Sequence, residues 1–184
     1  MSDQIKLIPG KNADEAMEIS TEHPLCEQSK LIKGLIEQQN YEDGVEVENP
    51  KDKAVLEKVL AFADYMKDHE VPKIEKPIPE NIRDFKDIPD MPEFFTNFLS
   101  CDKYGLSDLM MAAIDLELDT LRELIGAKVC LEIRGMTVQQ IRDYYEFTPE
   151  EIGFTPEEEE LNMEELECAK LAYGDKWMNN GKVL

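Results

Sequence analysis

Residues 105–147, GLSDLMMAAIDLELDTLRELIGAKVCLEIRGMTVQQIRDYYEF, constrain the fold of this chain more than any other stretch. Apolar residues recur there at helical intervals in two runs, Leu106, Leu109, Met110, Ala113, Ile114 and then Leu118, Leu121, Leu124 or Ile125, Val129, Ile133. That spacing predicts amphipathic helices facing a core. The expected stops agree with it. Thr120 with Glu123 and Thr137 with Gln140 are each spaced as a capping box, and Gly135 falls where the longer helix must end, at a position that tolerates positive φ.

Val138, Ile141, Tyr144, Tyr145 and Phe147 then crowd one short helix, with Ile152 and Phe154 beyond it. A helix of two or three turns is marginal in water and persists only by docking an apolar face on something larger. Two readings follow: these side chains close the protein's own core, or a partner covers them.

A length of 184 residues suits one domain with an appendage, or one extended α+β domain, with a real core. Twenty Lys and Arg against 41 Asp and Glu give a formal charge of −21. Such a field repels phosphate backbones and anionic lipid surfaces, which argues against nucleic-acid or membrane binding. It leaves either a surface that resists self-association or one that steers a basic partner. Cys26, Cys101, Cys130 and Cys168 are scattered, with no C-x-x-C pair, so reduced thiols in a cytosolic or nuclear protein are the expectation. No apolar leader and no twenty-residue apolar span is present.

In chain order, Gln4-Ile5-Lys6-Leu7-Ile8 alternates as a half-buried strand closed by Pro9-Gly10, and Ala16-Met17-Glu18-Ile19 is a second alternating run. Pro24 is expected to start one helix, carrying Leu25, Leu31, Ile32, Leu35 and Ile36, that runs to the turn Asn40-Tyr41-Glu42-Asp43-Gly44. Val45 and Val47 make a third strand. Asn49-Pro50 opens a helix with a stripe of Val55, Val59, Phe62 or Ala63, and Met66. Residues 71–92 hold five prolines, which predicts an extended connector and the best candidate boundary. Residues 93–99, EFFTNFL, read as an aromatic helix. Beyond Phe147, two Thr-Pro-Glu-Glu repeats at 148–151 and 155–158 each read as a helix start. Eleven carboxylates and no Lys or Arg lie between Asp143 and Ala169, either a solvated face or a surface for a basic partner.

The search for chemistry returns little. His23 and His69 have no second ligand at metal spacing and are both expected to be exposed. The nucleophile elbow, the P-loop and the dinucleotide fingerprint are absent from the sequence. Residues 39–50 place a glycine, Gly44, as a calcium loop would, but Tyr41 and Pro50 stand where ligands are needed. Glu150 and Glu151 fit the first turn of a helix, where the dipole favours negative charge. The chain is expected to be no enzyme and to hold no cofactor or metal.

Ile5-Lys6-Leu7; Gln28 and Ser29 with Ile32, Lys33 and Glu37; the helix of residues 56–68 ending in Lys67-Asp68; Asp87-Ile88-Pro89; residues 109–116; Arg134-Gly135-Met136-Thr137 through Ile141-Arg142; residues 154–160; and Trp177 form an ordered set. By that set the chain resembles the S-phase kinase-associated protein 1 family, the adaptors that join F-box proteins to a cullin in SCF ubiquitin ligases. The elongin-C-like relatives, which lack the C-terminal extension, fit less well. The resemblance implies an α+β chain: a BTB/POZ fold followed by a C-terminal helical extension that binds F-box motifs. The corresponding divisions are residues 1–70 for the N-terminal BTB/POZ part, 71–92 for the connector, 93–134 for the remaining BTB helices, and 135–184 for the F-box-binding helices and acidic tail. It further implies that Val129, Ile133, Ile141, Tyr145, Phe147, Phe154 and Trp177 enclose the F-box helices, and that Met110, Ile114 and Asp115 face the cullin.

Three departures stand against the family pattern. Where it has Ala-Ala-Asn-Tyr-Leu, this chain has Ala112-Ala113-Ile114-Asp115-Leu116, and losing an aromatic anchor for a charge costs on the order of a few kcal/mol at an interface. Thr137-Val138-Gln139-Gln140 replaces Thr-Pro-Glu-Glu, so the proline that some protist members hydroxylate is missing. The C-terminal segment is longer than usual before Phe154 and before Trp177. The implied function is a non-catalytic ubiquitin-ligase adaptor; the alternative is a divergent paralogue that grips F-box proteins as a structural subunit of another assembly, without a cullin.

Overall fold

The computed structural model describes residues 4–10, 13–47 and 53–148. Two compact units are present, Met1–Leu131 and Glu132–Leu184. In the first, β1 (Gln4–Pro9) lies between β2 (Met17–Ser20) and β3 (Val45–Val47). β2 is antiparallel to it with Ile5 opposite Ile19, and β3 is parallel with Leu7 opposite Val45. The alternation of β1 buries Ile5 and Leu7 while Gln4 and Lys6 face water, as period-two patterning requires. Entry into β3 needs glycine. Gly44 has φ +88°, and a Cβ there would meet the Lys6 carbonyl oxygen at 3.0 Å.

The helix expected from Pro24 to the turn at Asn40 is instead two, α1 (Pro24–Gln28) and α2 (Lys30–Glu37). Ser29 breaks it. Its backbone is extended, at φ −82° and ψ 117°, and its hydroxyl accepts from the Ile32 N–H at 3.1 Å, so it ends one helix and caps the next. The same hydroxyl donates to the Leu116 carbonyl at 2.5 Å, across 87 positions of sequence.

α3 (Lys53–Met66) buries Leu56, Val59, Phe62 and Ala63; Asn49 and Pro50 lie outside the described residues. The proline-rich stretch 71–92 holds no α-helix or strand, yet it is not a solvated connector. Ile82, Phe85 and Ile88 are buried in the main core, and residues Phe85–Asp87 form a 3-10 turn capped reciprocally by Asp84 and Asp87. Prolines exclude regular structure without preventing apolar side chains from packing. α4 (Glu93–Phe98) sends Phe95 and Phe98 onto Phe62, at ring separations of 6.1 and 5.8 Å.

α5 (Lys103–Asp115) starts at Asp102, whose carboxylate accepts from the Gly105 N–H at 2.8 Å. α6 (Asp119–Ile133) begins one residue before Thr120, so the capping box expected of Thr120 and Glu123 does not form. Glu123 instead receives Lys76 at 2.7 Å. Asp119, in the first turn where the dipole favours an acid, receives Lys30 and Arg122. The second unit contributes, among the described residues, the end of α6 and α7 (Val138–Tyr145). Together the described residues form a mixed α+β chain with three strands and seven α-helices, the class expected.

Two outcomes test this frame. Ser29→Ala strands the Ile32 N–H and the Leu116 carbonyl and should cost about 1–3 kcal/mol in urea unfolding; an unchanged midpoint would refute the tie. The hydrogen bond from Lys30 holds the Asp119 carboxyl below its ordinary range. A depressed folded-state pKa stabilises above the unfolded-state value and loses that contribution as pH falls through the folded one. Asp119→Asn should therefore lower the midpoint slightly at neutral pH, with a deficit that vanishes in strong acid.

Candidate partner-binding surfaces

Neither histidine belongs to a reactive constellation. His23, expected to be exposed, is only 19% so in its side chain. Its Nδ1 accepts from the Leu25 N–H at 3.1 Å, capping α1, and its Nε2 lies 3.3 Å from Asp64 of α3. His69 is exposed and stacks flat on Tyr65, whose ring stacks in turn on Phe94. It borders an open groove of about 1090 Å³ that mixes Met66, Val71 and Ile74 with Lys73, Lys76 and Glu123. No group of three His, Cys, Asp or Glu among the described residues could hold a metal ion. Burial pushes the Cys26 thiol up, which keeps it protonated and unreactive, while Cys130 is exposed. No described helix is long and apolar enough to cross a membrane.

Apolar side chains left outside the core are the more informative feature. α5 turns Leu106, Leu109, Ala112 and Ala113 inward, and that phase forces Tyr104, Met111 and Ile114 outward, 54%, 38% and 44% exposed. Of the residues expected to face a cullin, Ile114 stands on this outer face, and Met110 and Asp115 are half-buried at its edges. Tyr104 and Met111 escaped the sequence reading. Their signal was present: Tyr104, Met111 and Ile114 keep helical spacing in a phase opposite to the buried stripe.

In the second unit, α7 is built by local chemistry. Gly135, at φ +82°, turns the chain after α6. The Thr137 hydroxyl then accepts from the Gln140 N–H at 3.2 Å, and the Gln140 side chain accepts from the Thr137 N–H at 2.8 Å, the capping box expected. Glu146 in the left-handed region stops the helix and lets the Phe147 N–H reach the Arg142 carbonyl at 3.0 Å. No residue of α7 is fully buried. Val138 and Phe147 are 59% and 50% exposed, and Ile141, Tyr144 and Tyr145 are half-buried. Tyr145 stacks on Phe147 at 5.7 Å and meets Tyr144 edge-on at 5.0 Å, so three rings form one cluster.

Thus, of the residues expected to enclose F-box helices, Ile141 and Tyr145 lie on α7 and Phe147 lies just past its C-terminal cap. Ile133 is half-buried at the end of α6. Val129 belongs to the first unit and packs partly against its core. Phe154 and Trp177 lie outside the described residues.

Comparison with known proteins gives near-full-length matches. The chain is 31% identical over 173 residues, 93% of its own length and 96% of the other's, to the S-phase kinase-associated protein 1 homolog of Tetrahymena thermophila. It is 28% identical to SCF ubiquitin ligase complex protein SKP1a of Dictyostelium discoideum, covering 89% of this chain and 95% of that one. It is likewise 28% identical to E3 ubiquitin ligase complex SCF subunit sconC of Talaromyces marneffei, covering 92% and 99%. No protein-family model matches the chain.

The capping box supplies a local test of the α7 surface. Thr137→Ala should destabilise α7 by about 1 kcal/mol, speeding amide exchange at residues 140–145 while core amides of α5 keep their protection. Uniform acceleration across both helices, or none, would refute the local role.

Proposed function

The chain belongs to the S-phase kinase-associated protein 1 family, and from that premise we propose that it is a non-catalytic adaptor bridging F-box proteins to a cullin scaffold in an SCF-type E3 ubiquitin ligase. The observation that carries this reading is the pair of apolar surfaces, one on each compact unit, whose side chains stay exposed among the described residues. In it the first unit is a BTB/POZ fold whose helix α5 meets the cullin through Met110, Ile114 and Asp115. Val129, Ile133, Ile141, Tyr145 and Phe147, with Phe154 and Trp177, enclose the F-box helices. An aromatic cluster on a short helix suits that task, because rings supply large contact area at low entropic cost and the F-box offers an amphipathic helical guest. Four scattered cysteines with no C-x-x-C pair fit work in the reducing cytosol or nucleus.

The second reading keeps the F-box grip and drops the cullin, leaving a structural subunit of another assembly. Ile114 and Asp115 favour it, since they replace the Asn-Tyr pair of the family pattern on the outward side of α5.

Pull-downs from the source organism separate the two. Under the adaptor reading the wild-type chain recovers both an F-box protein and a cullin. Tyr145→Ala with Phe147→Ala should weaken F-box capture at least about tenfold, some 1.4 kcal/mol, and spare the cullin. Cullin recovery only after Ile114→Asn with Asp115→Tyr would support the structural subunit instead. Unchanged F-box capture by the double alanine variant would overturn the α7 assignment in both.

A further inference from the structure

The chain has two histidines, and both reach the last turn of α3, His23 at Asp64 and His69 at Tyr65. They do so with opposite hydrogen-bonding needs. Pro24 brings no N–H to the start of α1, so the Leu25 N–H is the first donor there that needs an acceptor, and the Nδ1 of His23 accepts it at 3.1 Å. A backbone N–H only donates. The neutral His23 ring therefore carries its proton on Nε2, 3.3 Å from the Asp64 carboxylate. His69 is the reverse: its Nδ1 lies 2.9 Å from the Tyr65 carbonyl, which only accepts, so there Nδ1 holds the proton and donates.

We infer that the two rings make the end of α3 a pH-responsive joint, in which protonation frees the start of α1 and tightens the close of α3. An imidazole gains its second proton between about pH 5 and 8. At His23 that proton arrives on Nδ1, the atom that accepts from Leu25. Donor then faces donor, the cap is lost, and the Asp64 carboxylate keeps its partner on Nε2. At His69 the proton arrives on the other nitrogen, so the bond to the Tyr65 carbonyl persists and becomes charge-assisted. The cation then sits at a helix C-terminus and flat against the Tyr65 ring, 4.0 Å away.

The charges around each ring are these. From α3 the His23 ring meets Asp64, while Glu22 precedes it and Glu27 of α1 follows one turn on. The Cys26 thiol stays neutral through burial, and Lys30 of α2 is engaged by Asp119. His69 lies between Asp68 and Glu70, and the groove it borders also carries Lys73, Glu75 and the Lys76 to Glu123 pair. Uncapping stays local because the far end of α1 is tethered: the Gln28 side chain donates to the Ala63 carbonyl at 2.9 Å. The inference does not depend on the adaptor reading.

The test is nuclear magnetic resonance on the full chain labelled with nitrogen-15. At neutral pH the imidazole nitrogens should report opposite tautomers, His23 protonated on Nε2 and His69 on Nδ1; the same tautomer at both would overturn the inference. Amide protection, corrected for the intrinsic pH dependence of exchange, is then compared between about pH 7.5 and 5.5, a window that spans imidazole titration. Protection of the Leu25 amide should fall about fivefold on acidification. That of the Tyr65 and Met66 amides should rise about twofold, and α5 amides should keep theirs. His23→Asn supplies a capping oxygen that does not titrate, so it should abolish the loss at Leu25 and leave the gain in α3. His69→Phe keeps a ring on Tyr65 without the donor or the charge, and should do the opposite. The wild-type readings decide the matter even where a variant fails to fold. Constant Leu25 protection in the wild-type chain, a loss that survives His23→Asn, or a loss that spreads to α5 would each overturn the joint.

Discussion

One hydroxyl holds the first unit in register. Ser29 is the one fully buried polar side chain among the described residues, and it satisfies the first turn of α2 and the last carbonyl of α5 together. Helix ends carry orphan donors and acceptors that cost free energy when shut away from water. Here an orphan donor at 32 and an orphan acceptor at 116 cancel through a single oxygen. The break between α1 and α2 and the turn between α5 and α6 are therefore fixed against each other. Lys30, next along the chain, extends the same junction to Asp119. Because that junction anchors the C-terminal end of α5, it also sets which side of α5 faces water.

Much of the fold was legible because it is written in periodicity. The three strands, the aromatic helix α4 and the pair α5 and α6 all follow from apolar spacing and turn residues. What escaped has a common cause. An apolar period runs straight through Ser29, so the helix reads as continuous; only a carbonyl 87 positions away makes the hydroxyl more useful as a junction than as a helical surface residue. Thr120 with Glu123 has the spacing of a capping box, and Lys76 claims the glutamate. Thr137 with Gln140 has the same spacing and forms the box. Residues 82, 85 and 88 carry no period because prolines set their backbone, yet their side chains are core.

The candidate surfaces were legible by half. Periodicity locates apolar residues on helices but does not say how many of them a core can cover. Ile141, Tyr145 and Phe147 stood out because too many rings crowd one short helix. Tyr104 and Met111 did not, being spread along a longer helix that buries four residues on its other side. Only with the inward phase of α5 known does the outer ridge become a surplus rather than a continuation of the core.

The central strand is also the earliest part of the sheet to be made. β1 ends at Pro9, yet its parallel neighbour β3 begins at Val45, and the serine junction waits for Leu116. On the ribosome, then, β1 has only the short β2 beside it while the 24 residues from 21 to 44 emerge, and the α1 to α2 corner stays open until α5 has left the exit tunnel. Non-local pairings of this kind close late and leave apolar strand surface uncovered in the interval. For a nascent chain so organised, the hazardous period is its synthesis, and protection by a chaperone matters there more than in the finished protein.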